Sequence, residues 1–197
     1  MLTNTANLLT LFRIFVIPIL VVLFFFIEQS ETIAWVTLVI YGLAAITDFF
    51  DGYMARVLGQ TSAFGKFLDP IADKLLVTVM LFLLIAFDRL EGIWIIPALV
   101  ILIREIVIAG LREFLGPYNV QVPVTKLAKW KTMSQMFALG FILMGSHGIE
   151  TVKYTVEIGQ YGLLFAAILT VITGWAYLSV GYKTIVELDA KDTKTKT

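Results

Sequence analysis

Long runs of apolar residues, separated by short polar links, divide most of the chain. The runs cover roughly residues 8–27, 33–50, 67–87, 93–114, 130–146 and 159–182. Each run is close to the ~20 residues that a helix needs to cross the hydrocarbon core of a bilayer. Charged links such as residues 28–31 and 88–91 provide the turns between the runs. The pattern therefore predicts an all-α integral membrane protein with six transmembrane helices.

The composition supports this class. The chain has 197 residues, of which 59% are hydrophobic, whereas a soluble domain is about 45–50% apolar. We predict a single six-helix membrane domain over residues 1–186 and a charged, disordered cytoplasmic tail over residues 187–197. The formal net charge is zero, so nothing indicates a nucleic-acid partner. The absence of cysteine excludes thiol catalysis and thiolate metal sites.

The distribution of basic residues predicts the orientation in the membrane. With six spans, both termini lie on one side, together with the links between spans 2 and 3 and between spans 4 and 5. Of the 15 lysines and arginines, all except Arg89 and Lys153 fall on that side. Because basic residues concentrate in cytoplasmic loops, both termini should face the cytoplasm.

Four aspartates lie in or beside the second and third apolar runs: Asp48, Asp51, Asp69 and Asp73. A carboxylate at the centre of a span costs about 2.5–3.5 kcal/mol, so a group of four calls for a function. The first two are three residues apart and the last two are four apart, so each pair shares one face of a helix. Buried salt bridges with Arg56 or Lys74 account for one or two of these acids but not for four.

Such a cluster predicts a site for divalent cations. Carboxylate oxygens suit Mg²⁺ or Mn²⁺ and do not suit zinc. Two such ions can hold a diphosphate and stabilise an in-line displacement at phosphorus. Gly52 allows a ligand phosphate to approach the helix, Ala55 is similarly small, and Arg56 provides a fixed positive charge for phosphate. Gly65 permits a tight entry into the following helix.

The joint spacing of these residues carries a family resemblance. The segment reads D48-x2-D51-G52-x2-A55-R56-x8-G65-x3-D69-x3-D73. It resembles in full the signature of the CDP-alcohol phosphotransferase family. The resemblance implies a reaction in which an alcohol attacks the phosphate of a CDP-linked donor and CMP leaves. It also implies that Asp48, Asp51 and Asp69 are metal ligands, and that Asp73 is both close to the metals and the general base, although nearby cations depress carboxylate basicity.

The same resemblance indicates residues that contact the donor. It places Ser62 beside the CDP moiety, with Gly52 and Arg56, and it likens residues 7–13 to the family's N-terminal element. Asn7 can instead cap the first helix, and Thr10 can bond its own helix turn. The candidate donor-binding residues are therefore Asn7, Thr10, Gly52, Ala55, Arg56, Ser62 and Gly65.

The second half of the chain offers candidates for binding the acceptor alcohol. Arg104 and Glu105 interrupt the fourth apolar run, and Arg112 shares a helix face with Glu105. These cations lie on the predicted cytoplasmic side, where an acceptor with a dianionic phosphate needs them. Snorkelling and membrane topology are the alternative explanation for such residues. The candidate acceptor-binding residues are Arg104, Arg112, Lys126 and Lys131.

The segment from Arg104 to Lys131 resembles the bacterial branch of the family that makes phosphatidylglycerophosphate. This implies CDP-diacylglycerol as donor, sn-glycerol 3-phosphate as acceptor, a homodimer, and a place in the bacterial inner membrane with the active site facing the cytoplasm. Other family members remain alternatives: a cardiolipin synthase, or an inositol-phosphate or serine transferase. An intramembrane prenyltransferase would need a second, distant acidic motif. A cation transporter would favour acids near the midplane, whereas these lie near one face.

Overall fold

The computed structural model describes the backbone of residues 5–58, 63–118, 126–149 and 151–195. Within those ranges, it describes all side chains except those of residues 5–7, 48–58, 63–67, 69, 70, 73, 126, 188, 189 and 191–195. The described backbone is helical and contains no strand. The helices are α1 (Thr5–Phe24), α2 (Glu31–Leu58), α3 (Ala63–Ala86), α4 (Ile95–Leu115), α5 (Lys126–Ile149) and α6 (Thr155–Thr195). Short 3₁₀ turns flank α4 at Gly92–Trp94 and Gly116–Tyr118.

The prediction of an all-helical protein is confirmed, and each apolar run coincides with one helix. Within the described residues, two helical segments are long and apolar enough to cross a membrane: Gly92–Tyr118 and Thr155–Glu187. Three further apolar stretches are shorter: Leu8–Phe24, Glu31–Thr47 and Lys74–Ala86. These apolar helices fit a membrane protein. The full set of six spans stays a prediction.

The last helix is longer than the sequence pattern indicated. A disordered tail was predicted from residue 187, but α6 continues to Thr195, so the backbone there is helical. Residues 187–191 read Glu-Leu-Asp-Ala-Lys, most of which are strong helix formers, and they extend a helix that has already been nucleated. The predicted domain limits themselves stay a prediction.

The chain divides into two compact units. The first comprises Met1–Ile95 and Met136–Gly162, and the second comprises Ile96–Gln135 and Leu163–Thr197. In the first unit, α1 packs against both α2 and α3. The first turns of α6 approach α5 closely, because a Cβ at Gly162 would lie 3.2 Å from the Cβ of Ala138. Small residues at such crossings are typical of membrane helices.

An arginine after α3 joins the polar link that follows α1 to helix α5 in the first unit. Arg89 forms an ion pair with Glu28 and donates a hydrogen bond to the backbone carbonyl of Leu143. Helix α5 is kinked nearby at Gly145, where φ is +50°. His147 Nε2 lies 3.9 Å from the Glu28 carboxylate, and the His147 side chain is only 20% exposed. The histidine therefore belongs to this polar cluster.

In the second unit, glycines of α6 allow α4 to approach. A Cβ at Gly181 would lie 2.6 Å from Leu111 Cδ1, and one at Gly174 would lie 3.2 Å from Arg104 Cγ. Ile101 and Ile108 of α4 are buried in this unit. The same approach that buries these apolar residues brings the charged side chains of α4 against α6.

Candidate active site

The four aspartates lie on two helices, as their spacing predicted. Asp48 and Asp51 are in α2, and Asp69 and Asp73 are in α3. Both helices pack against α1 in the first unit. The four side chains lie outside the described residues, so their role as metal ligands and the role of Asp73 as base stay predictions. The donor set is made only of carboxylates, which fits Mg²⁺ or Mn²⁺ by its chemistry.

Six of the seven donor-binding candidates lie on α1, α2 or α3. The backbones of Gly52, Ala55 and Arg56 belong to α2, and that of Gly65 belongs to α3. Their side-chain positions and that of Asn7 lie outside the described residues, as does all of Ser62. Thr10 is described, and it is fully buried on α1.

Three acceptor candidates are described in full, and two of them meet at one carboxylate. Lys131 Nζ on α5 forms an ion pair with Glu105 Oε1 on α4. Arg104 Nη1 lies 3.2 Å from the same oxygen. The side chains of Lys131, Arg104 and Glu105 are only 8%, 14% and 17% exposed. Charges removed from water to this extent require ionic partners, so the three side chains form a unit.

The guanidinium of Arg104 also reaches α6. Its Nη2 donates a hydrogen bond of 3.3 Å to Thr173 Oγ1, and that hydroxyl donates to the carbonyl of Leu169 at 2.8 Å. Among the described residues, the buried Arg104 Nε and the buried Thr170 Oγ1 have no hydrogen-bond partner. A buried polar atom left in this way costs about 1–3 kcal/mol.

Arg112 is held by an aromatic residue of α6. Its Nη2 donates to the hydroxyl of Tyr177 over 2.7 Å, and its guanidinium carbon lies 4.8 Å from the ring centroid. The guanidinium carbon of Arg104 lies 5.9 Å from the same ring. Tyr177 is only 3% exposed and thus links both arginines from within the second unit. The ring face attracts both cations electrostatically.

The structure thus brings together three of the four predicted acceptor residues through Glu105 and Tyr177. Lys126 is the first residue of α5, and its side chain lies outside the described residues. Sequence reasoning assigned no site role to Glu105, Thr173 or Tyr177. The polar residues Thr170, Thr173 and Tyr177 recur at helical spacing in the last apolar run, and this signal could have indicated a polar face toward α4.

Comparison with known proteins decides the family. Residues 3–177 match the sequence model of the CDP-alcohol phosphatidyltransferases. The chain belongs to this family. The match includes every candidate site residue, and the resemblance drawn from the aspartate pattern is confirmed.

Three similar family members share one name, CDP-diacylglycerol–glycerol-3-phosphate 3-phosphatidyltransferase. The protein from Rickettsia typhi is 45% identical over 174 residues, which covers 88% of this chain and 94% of the relative. The protein from Haemophilus influenzae is 37% identical and covers 93% and 96% of the two chains. That from Salmonella choleraesuis is 39% identical and covers 89% and 93%. This CDP-alcohol phosphatidyltransferase therefore matches its relatives over nearly their whole length.

Proposed function

We propose that the protein transfers the phosphatidyl group of CDP-diacylglycerol to sn-glycerol 3-phosphate, producing phosphatidylglycerophosphate and CMP. The observation that carries this proposal is the full-length similarity to family members that bear the name of this reaction. The complete aspartate pattern and the buried cations of the second unit support it from the chain's own residues.

The aspartates would bind the metal on which the reaction depends. We propose that Asp48, Asp51, Asp69 and Asp73 hold two divalent cations, Mg²⁺ or Mn²⁺, which would neutralise the donor's diphosphate. Asp73 would also accept the proton of the C1 hydroxyl of the acceptor. Arg56 would pair with the donor's phosphates, and the small residues of α2 would let the nucleotide approach.

The acceptor's phosphate would be bound by three cations of the second unit, Lys131, Arg104 and Arg112. Lys131 offers an ammonium with three donors, and Arg104 and Arg112 offer guanidinium groups that match phosphate oxygens. An acceptor without a phosphate would leave the net positive charge of these three cations uncompensated, so free glycerol should be a poor substrate.

The distribution of basic residues along the chain supports a setting for the reaction. We propose that the chain spans the bacterial inner membrane several times, with both termini and the active site at the cytoplasmic side. The diacyl donor would stay in the bilayer, while the soluble acceptor arrives from the cytoplasm. A homodimer is the assembly expected from the family resemblance.

An acceptor panel tests the proposal. Purified protein is given CDP-diacylglycerol, Mg²⁺ and labelled alcohols one at a time, and the release of CMP is measured. sn-Glycerol 3-phosphate should support release, whereas glycerol, inositol phosphate and serine should not. Preference for inositol phosphate or serine, or for phosphatidylglycerol as in a cardiolipin synthase, would replace the proposed acceptor. No CMP release with any alcohol would refute the transferase.

The aspartates are tested in the same assay. Asp69→Asn and Asp73→Asn each replace a charged oxygen by an amide of the same shape, so CMP release should collapse. Asp88→Asn is the matched control, because Asp88 is an exposed residue outside the helices. Its positive φ of 54° is readily adopted by asparagine, so this variant should keep full activity. Activity that survives Asp69→Asn would remove that residue from the metal site.

A further inference from the structure

One carboxylate oxygen organises two of the cations assigned to the acceptor. Glu105 Oε1 accepts from Lys131 on α5 and from Arg104, its neighbour on α4. Glu105 is the described carboxylate that pairs with these cations, and it is mostly buried with them. Lys131 has a flexible four-carbon stem and three rotatable donors, so its ion pair with Glu105 helps to fix the place of its ammonium.

We propose that Glu105 is a positioning residue that holds Lys131 and Arg104 in the arrangement that receives the acceptor's phosphate. This inference rests on the function proposed above and adds a residue to it. Glu105 itself would not touch the reacting atoms. It would act through the two cations, by fixing where their N–H groups point.

The energetic basis is preorganisation. A free lysine side chain loses rotamer freedom worth about 1.5–2 kcal/mol when it becomes ordered. Because Glu105 has already ordered Lys131, the binding of the acceptor does not have to supply this ordering free energy. The acceptor then meets a fixed pattern of donors, and its binding is correspondingly tighter.

The charge balance makes the same residue important for another reason. Two buried cations side by side repel each other and are poorly solvated, so they would move apart or draw in water. The Glu105 carboxylate offsets this repulsion and still leaves the group net positive. An ammonium has three N–H donors and a guanidinium has five, so both cations can hold Glu105 and phosphate oxygens together.

A purely structural role for Glu105 predicts different effects of its substitution on KM and on stability. If the carboxylate only neutralises buried cations, its loss lowers the stability of the fold and affects both substrates alike. If it positions the cations, the effect falls on the acceptor. The two roles are separated by measuring KM for each substrate, kcat, and the melting temperature of the same variants.

The first variant is Glu105→Gln, which keeps the shape and removes the charge. We expect the KM for sn-glycerol 3-phosphate to rise roughly tenfold or more, the effect of losing a hydrogen bond to a charged group. The KM for CDP-diacylglycerol should stay within about twofold of the wild-type value. Glu113→Gln is the matched control, since Glu113 is an exposed carboxylate on the same helix, and both of its KM values should be those of the wild type.

A double-mutant cycle then tests whether Glu105 acts through Lys131. In a Lys131→Met background the acceptor KM is already raised, and adding Glu105→Gln should raise it by a smaller factor than in the wild type, because only the effect through Arg104 remains. Glu105→Asp keeps the charge on a shorter stem and should give an intermediate KM for the acceptor. If Glu105→Gln does not fold, Glu105→Asp decides alone, and a wild-type acceptor KM in it overturns the proposal.

Other outcomes also overturn it. An acceptor KM unchanged in Glu105→Gln, equal rises for both substrates, or effects of Glu105→Gln and Lys131→Met that multiply would each show that Glu105 does not position Lys131. Failure of the proposed function is recognised separately, because the wild-type protein itself would then release no CMP with sn-glycerol 3-phosphate.

Discussion

Arg112 donates a hydrogen bond of 2.7 Å to the hydroxyl of Tyr177, and its guanidinium carbon lies 4.8 Å from the centre of that ring. The arginine is an exposed residue, whereas the tyrosine is buried. A long surface side chain is thus held by a rigid partner that has only two rotatable angles. This pairing assigns Arg112 a fixed place and distinguishes it from a snorkelling cation.

Removal of the tyrosine hydroxyl tests this pairing. Tyr177→Phe keeps the ring that attracts the guanidinium and removes the acceptor of its hydrogen bond. We expect the KM for sn-glycerol 3-phosphate to rise about threefold to tenfold, the range for losing one net hydrogen bond. Tyr161→Phe is the control, because Tyr161 is 62% exposed on the same helix and should tolerate the change. An equal acceptor KM in wild type and Tyr177→Phe would show that Arg112 does not bind the phosphate through this geometry.

The helices were predictable and the pairing was not, for a physical reason. Apolar runs of about 20 residues indicate helices by themselves, because length and hydropathy are local properties. The partners of Arg112 and Arg104 on α6 depend on how closely α4 and α6 approach, which Gly174 and Gly181 allow. A single glycine in the sequence of a membrane helix does not by itself indicate such a close approach.

The candidate site was likewise predictable from the sequence only in part. The spacing of the four aspartates predicted two pairs on two helices. The structure contains both helices, with Asp48 and Asp51 in α2 and Asp69 and Asp73 in α3. Glu105 was noted only as a neighbour on the face of Arg112, because its pairing with Lys131 joins residues 26 apart in sequence. Ion pairs between helices have no local sequence signature.

The kink of α5 provides a prediction about stability. Gly145 has φ of +50°, and a Cβ there would lie 2.6 Å from Arg89 Nη1. Gly145→Ala should therefore destabilise the protein by about 1–3 kcal/mol and lower its melting temperature. A Cβ at Gly110 of α4 would meet nothing within 4 Å, so Gly110→Ala should leave the melting temperature equal or higher. Equal melting temperatures of the wild type and Gly145→Ala would contradict the strain expected from a side chain at this position.

The absence of cysteine makes the proposed topology easy to test. Lys153→Cys and Lys129→Cys each place one thiol at an exposed residue. In intact cells, a membrane-impermeant maleimide should label the cysteine at position 153, because the basic-residue distribution places that link outside the cytoplasm. The cysteine at position 129 should react only after the cells are permeabilised. The opposite labelling pattern would show that the protein has the inverse orientation in the membrane.

Removal of divalent cations tests the metal assignment. A chelator should abolish CMP release, since the diphosphate would lose the charge that neutralises it. Mg²⁺ or Mn²⁺ should restore activity, and Zn²⁺ should restore it poorly, because carboxylate oxygens favour hard cations. Full activity in the presence of chelator would contradict a metal site formed by the aspartates.

The fate of the acceptor's C1 oxygen tests the proposed reaction most directly. sn-Glycerol 3-phosphate labelled with ¹⁸O at the C1 hydroxyl is incubated with the purified protein, CDP-diacylglycerol and Mg²⁺, and the products are analysed by mass spectrometry. Attack by that hydroxyl on the diacylglycerol-linked phosphorus predicts phosphatidylglycerophosphate that retains the label, together with an equal amount of unlabelled CMP. Release of CDP, or a lipid product without the label, would contradict the account.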